Sequence, residues 1–191
     1  MLYISDLKPM EEGNMERIIV RSERIYEGKV FRLMKETVIL ENGVTTDMEI
    51  IRHPGAAAIV PILDDERFIL IRQYRHAVGC FMWEIPAGTV NQNETPIMCA
   101  QRELTEETGY SSDRCHKLSE IIPVPGYSNE HIDLYIATNL TASAQNLNVD
   151  EVIKIHTVRL SDALAMIYAG EIQDGKTICG LLLAMNWLST R

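Results

Sequence analysis

Between residues 18 and 34, β-branched and aromatic residues alternate in part with polar ones, a near period-two pattern that predicts strands. The pattern resumes at Thr37-Val38-Ile39-Leu40 and again over 44–51, on either side of Asn42-Gly43. That dipeptide between two such runs predicts a β-hairpin. Pro54-Gly55 then breaks the chain and predicts a soft boundary between a β-rich N-terminal piece, 1–54, and a main domain, 55–191. Residues 1–16 are polar and irregular. An apolar run over 56–63 predicts a buried strand, with a turn at Asp64-Asp65 and another strand over 68–74. After Pro86-Ala87-Gly88 the period lengthens to that of a helix. Thr95 is placed to cap its start, Pro96 to occupy its first position and Gly109 to end it in a left-handed conformation. Further strands are expected over 118–124, 132–137 and 152–158. Helices are expected over 162–169, stopped by Gly170, and over 177–188. Such a mixture predicts an α/β sandwich preceded by a small antiparallel β piece.

Composition narrows the class. The chain has 191 residues, 46% of them apolar and 24% charged, enough for one main domain with a real core. Its longest apolar run is too short to span a bilayer, and Asp6, Lys8, Glu11 and Glu12 stand where a secretory signal would be apolar, so a cytoplasmic address is expected. Cys80, Cys99, Cys115 and Cys179 fit neither a disulfide framework nor a zinc pattern and are read as reduced thiols. His53, His76, His116, His131 and His156 show no metal-ligand spacing. A net charge of -9 repels nucleic acid and anionic membrane, so neither is an expected partner. An anionic substrate would need a local reversal of that field, which a bound divalent cation would supply.

The chemistry concentrates between Gly88 and Tyr110. On the helix, Ile97, Ala100, Leu104 and Thr108 form one stripe, while Glu103, Glu106 and Glu107 group on another face. The stripe is expected to pack and the carboxylates to project. Three like charges in the last turns oppose each other and the helix dipole, at about 0.2–1 kcal/mol each. A solvated acidic face tolerates that cost. A ligand set for a hard cation is relieved of it, because Mg²⁺ or Mn²⁺ takes carboxylate, carbonyl and water oxygens.

The whole string decides between these readings. Gly88, Glu94, Arg102, Glu103, Glu106, Glu107 and Gly109, with apolar residues at Leu104 and Tyr110, match Gly-x₅-Glu-x₇-Arg-Glu-apolar-x-Glu-Glu-x-Gly-apolar at every specified position. Seven fixed identities coincide by chance on the order of once in ten million chains. The string resembles the signature of the Nudix hydrolases. That resemblance implies the Nudix α/β/α sandwich with a mixed sheet, and divalent-metal hydrolysis of a nucleoside diphosphate linked to another group. It makes Glu103 and Glu107 metal ligands, with Glu106 a ligand directly or through water, and the carbonyl of Ala87 or Gly88 a further donor. Glu94 and Arg102 would support loop and helix by pairing with each other or with the ligand carboxylates. The catalytic set it implies is Glu106, Glu107, Glu130 and Arg102, with the general base drawn from the box or from a later loop.

Flanking segments resemble the ADP-ribose pyrophosphatase branch: Arg72-Gln73-Tyr74-Arg75, Trp83-Glu84-Ile85-Pro86-Ala87-Gly88, and residues 123–130 with Pro125. Val124 departs from the small polar residue common in relatives. Arg75 is the expected phosphate contact, since a guanidinium binds phosphate oxygens in a planar fork. Glu130 would face a second metal or the attacking water. Tyr26 and Phe31 are either base-stacking residues or strand core. The branch also implies a homodimer whose N-terminal sheet completes the partner's site. Substrates kept open are ADP-ribose, a GDP-sugar such as GDP-mannose, and a dinucleoside polyphosphate. A non-catalytic nucleotide sensor and an interaction protein are the readings from other classes.

Overall fold

A computed structural model describes residues 18–64, 67–147, 149 and 151–190. The expected irregular segment 1–16, and Asp65 of the expected turn, lie outside the described residues. Three strands come first, β1 (Ile18–Glu27), β2 (Arg32–Ile39) and β3 (Thr45–Arg52), in one antiparallel sheet of that order. The hairpin expected at Asn42-Gly43 joins β2 to β3. Leu40 N–H donates to Val44 O (2.8 Å), and Gly43 takes φ +81°, open to glycine without strain. β1 is exposed along its whole length, leaving Ile18, Ile19, Val20, Ile25 and Tyr26 uncovered.

The main sheet is built on β4 (Ala56–Asp64), which pairs in parallel with β10 (Ile132–Thr138). Its other pairings are antiparallel. β5 (Arg67–Arg75) lies on the far side of β4, β12 (Ile153–Arg159) beyond β5, and β9 (Arg114–Ile121) beyond β10. Two short strands complete it, β6 (Cys80–Glu84) on β5 and β7 (Ala87–Thr89) on β4. β4 is central because its apolar run serves both faces. Ala58 and Val60 join the core on one face, and Ala57 and Ile59 the core on the other. The second face is covered by α1 (Pro96–Thr108), and the first by α2 (Leu160–Tyr168) and α3 (Gly175–Ser189). Two helical layers around a mixed sheet form the expected α/β/α sandwich. A small pair, β8 (Tyr110–Ser111) with β11 (Thr141–Ala142), follows α1. No helix among the described residues is long and apolar enough to cross a membrane.

The strand expected over 118–124 instead starts four residues earlier and ends at Ile121. Its register follows β10, from Ile132 opposite Ile121 to Thr138 opposite Arg114, and beyond it Pro123 and Pro125 have no N–H to give a ladder. Both final helices begin two residues before their expected starts.

α1 has the caps its sequence implies. The Thr95 side chain accepts from Met98 N–H, Pro96 begins the helix, and Gly109 turns to φ +69° while its N–H reaches Thr105 O (2.9 Å). The carbonyls of the last turn are taken by a loop from far along the chain. Ser143 N–H donates to Gly109 O (2.7 Å), Asn146 N–H to Glu106 O (3.0 Å) and the Gln145 side-chain amide to Glu107 O (2.7 Å). This loop meets the orphan acceptors every helix end leaves. It passes so close that a Cβ on Gly109 would stand 3.1 Å from Gln145 N. Gly109→Ala is therefore expected to lower folding stability by about 1–2 kcal/mol, the left-handed cost of a side chain. Urea denaturation measures it, and an unchanged midpoint would contradict the cap.

Candidate active site

Glu103 and Glu107 do not project into solvent as the helical pattern led us to expect; they are 8% and 2% exposed. The reason is tertiary: the Ala87-Gly88-Thr89 strand crosses that face of α1. Ala87 N–H donates to Glu107 Oε2 (3.0 Å), and a Cβ on Gly88 would fall 1.7 Å from Glu103 Oε1. Only glycine admits the carboxylate here. Glu106 remains half-buried at the edge of the cluster.

Arg102 organises the group. Its Nε and Nη2 bind Glu94 as a fork (2.8 and 3.0 Å), its Nη1 reaches Glu103 Oε1 (2.6 Å) and Glu106 Oε2 (3.0 Å), and Nη2 also donates to Thr89 O (3.3 Å). Both pairings expected of Glu94 and Arg102 are thus made. The hydrogen-bonded Glu94, and then Glu103, raise the Arg102 pKa further, while Arg102 holds Glu94 below the usual carboxylate range. Burial raises the Glu103 carboxyl. Burial, with the negative charge of Glu103 next, pushes Glu107 up to about 8. Cys99, which donates to Gly88 O (3.4 Å), is pushed up to about 12 by burial and is an inert thiol.

Glu151 was not singled out from the sequence. It lies just before β12, and its charge adds to the raised pKa of both Glu103 and Glu107. No sequence motif marks it. The 143–146 loop, a few residues earlier, docks on the end of α1 that carries Glu106 and Glu107.

On the other side of β7 opens a cleft of about 750 Å³, lined by His53, Arg75, Ala87, Gly88, Glu130 and Lys176 among others. Thr89 borders both this cleft and a depression holding Arg102, Glu103 and Glu106. Arg75, Ala87 and Glu130 therefore share one opening, Glu103 and Glu106 line the neighbouring depression across Thr89, and the Arg75 charge is felt at Glu107. Arg75 binds Glu84 in a fork through Nε and Nη2 (2.7 and 2.6 Å). Lys176 from α3 reaches the same carboxylate (2.5 Å), and Asp174 (3.0 Å). Burial acts to raise Glu84, but Arg75 and Lys176 together outweigh it and the net shift is downward. Sequence reasoning passed over Glu84 as an ion-pair centre and Lys176 altogether, since the latter is 92 residues away from Glu84. Tyr26 and Phe31 pack on each other (centroids 6.1 Å apart) and remain exposed on the N-terminal sheet.

A profile of the NUDIX domain matches residues 52–179. The chain belongs to the Nudix family. It is 34% identical to an ADP-ribose pyrophosphatase of Bacillus subtilis (strain 168), over 86% of this chain and 90% of that one. It is 36% identical to a methanol dehydrogenase activator of Bacillus methanolicus, over 85% and 89%. A solved structure described as an ADP compounds hydrolase superposes with a TM-score of 0.80 at 22% identity, covering 91% and 95%, which shows the shared fold. As a Nudix hydrolase, the chain acts on a diphosphate.

Among the described residues no three Asp, Glu, His or Cys side chains converge as a ready-made metal cage; Glu103 and Glu106 turn onto Arg102 instead. The donor chemistry nevertheless suits a hard divalent cation. Two adjacent buried carboxylates, with a third at their edge, oppose one another's ionisation, and a cation between them would relieve it. Because the folded pKa of Glu107 lies above its ordinary 4.5, its contribution to stability is complete below about pH 4.5 and is lost as pH rises through about 8. In EDTA, the wild type is expected to lose stability between pH 5 and 8.5. Glu107→Gln, which keeps an acceptor for Ala87 N–H and cannot ionise, should flatten that slope. Parallel pH profiles of denaturation midpoint for the two proteins would refute the assignment.

Proposed function

We propose that the chain hydrolyses the diphosphate of a nucleoside diphosphate sugar in a divalent-metal-dependent reaction, with ADP-ribose converted to AMP and ribose 5-phosphate. The observation that carries this reading is the buried carboxylate pair beneath the Gly88 strand, set beside a cleft lined by Arg75 and Lys176. A solvated helix face, the alternative for those glutamates, is inconsistent with their burial. The preference for ADP-ribose draws on the Bacillus subtilis relative of that activity.

Glu103 and Glu107, with Glu106 and the Ala87 carbonyl, would hold Mg²⁺ or Mn²⁺. Bound there, such a cation would supply the positive charge that neutralises phosphate oxygens and lowers the pKa of a water. Arg75 orients the diphosphate: the Glu84 fork uses Nε and Nη2, which leaves Nη1 for a phosphate oxygen. Glu84 is the anchor that keeps this guanidinium in place. Arg102 holds Glu103 and Glu106 in register with the loop and spreads its charge over three carboxylates. Glu130, on the cleft wall with His53 3.8 Å away, accepts a proton from the attacking water in this reading. Glu151 adds its negative charge to this cluster. The uncovered β1 strand supports a homodimer joined through the N-terminal sheet, because five exposed apolar side chains on one strand favour a cover.

Turnover of a panel of nucleoside diphosphate compounds, with and without Mg²⁺, tests the reading. ADP-ribose is expected to show the higher kcat/KM by roughly five- to two-hundredfold over GDP-mannose, the scale of one unpaired buried base contact. GDP-mannose as the better substrate would overturn the substrate and leave the family. Glu107→Gln should lower kcat by at least about a hundredfold, as loss of a charged ligand does. Arg75→Ala should lower kcat/KM for both substrates, because a phosphate contact does not read the base.

A further inference from the structure

Glu130 sits at the end of a loop that leaves β9 at Ile121 and is exposed along much of its length. Something must hold its carboxylate at the cleft wall. Within the loop, Tyr127 and Ser128 N–H groups both turn back to Val124 O (3.3 and 3.1 Å), which shapes the loop without attaching it to anything. Attachment comes from β3. Ile51 N–H donates to Tyr127 O (2.8 Å) and Asn129 N–H to Ile51 O (3.2 Å), so the loop forms a parallel bridge with the edge of the N-terminal sheet.

The Asn129 side chain then continues that ladder. Its Oδ1 accepts from His53 N–H (2.8 Å), and its Nδ2 donates to His53 O (3.4 Å). A carboxamide has the same donor and acceptor as a peptide group and here takes the place of one. The two bonds tie the residue before Glu130 to His53, whose ring lines the cleft. Glu130 N–H in turn donates to Ser128 Oγ (3.0 Å). We propose that Asn129 is a positioning residue, a clamp through which β3 fixes Glu130 in the cleft. The proposal rests on the reading above, in which Glu130 serves hydrolysis. Asn129 is exposed, so its bonds act on loop geometry far more than on folding.

Asn129→Ala, Glu130→Gln and the double variant test it, assayed with ADP-ribose and Mg²⁺ and by amide hydrogen exchange. Asn129→Ala should lower kcat about tenfold, the scale of a small misplacement, with KM within about twofold. In the Glu130→Gln background the same change should cost less than about twofold, since a clamp has no effect once the group it places is gone. Exchange over 127–131 and at His53 should quicken, with 132–138 in β10 unchanged. Equal losses in both backgrounds, wild-type kcat in Asn129→Ala, or unchanged exchange over 127–131 would each overturn the proposal. If Glu130→Gln alone turns over like the wild type, the role of Glu130 in hydrolysis fails. The exchange rates would still decide whether Asn129 holds the loop.

Discussion

Two glutamates buried side by side on one helix face set the terms for the rest of this molecule. Glu103 and Glu107 are closed in by the Gly88 strand, and burial raises both carboxyls, helped at Glu107 by the charge of Glu103 and at Glu103 by that of Glu106. A protein selected for stability alone would replace such a pair, because buried charge without a matched partner costs several kcal/mol. The surrounding design contains that cost. Gly88 lacks the Cβ that would strike Glu103, Ala87 N–H donates to Glu107, and Arg102 shares its charge among Glu94, Glu103 and Glu106. The helix end at which they gather is already negative, and its carbonyls are covered by the loop through Gln145 and Asn146.

Another buried carboxylate is handled in the opposite way. Glu84 meets Arg75 and Lys176 at hydrogen-bond distance, and its pKa falls in spite of burial. The same site is welded to the sheet by the start of α3. Asp174 accepts from Thr177 N–H (3.0 Å), and Thr177 Oγ accepts from Ile85 N–H (2.8 Å). Satisfied charge holds the cationic side of the cleft in place, and strained charge marks the acidic side. That difference fits their proposed roles, one orienting an anion by geometry and the other offering affinity for a cation.

The N-terminal sheet belongs to this arrangement although its own strands bury little. Through Ile51 and His53 it holds the loop that carries Glu130, so an element with few core contacts still determines where a cleft residue stands. Its exposed strand β1 forms the opposite edge of the same three-stranded sheet.

How far the sequence reached depended on how local the determining contacts were. The bounds of α1, its Thr95 and Gly109 caps, and the Asn42-Gly43 hairpin were legible because a few neighbouring residues dictate each one. The Nudix string was legible because its residues are fixed by spacing along one loop and helix. Burial of Glu103 and Glu107 was not, since helical periodicity assigned them to a polar face, and the strand that covers them is placed by its pairing with β4. The start of β9 followed β10 and not its own composition. Glu84 gained its partner Lys176, and Glu151 its place near the cluster, through contacts between distant segments that no local pattern encodes. The sequence by itself determined which groups were available for chemistry; the tertiary structure decided which of them are buried, paired and strained, because those properties belong to neighbours brought together only by the fold.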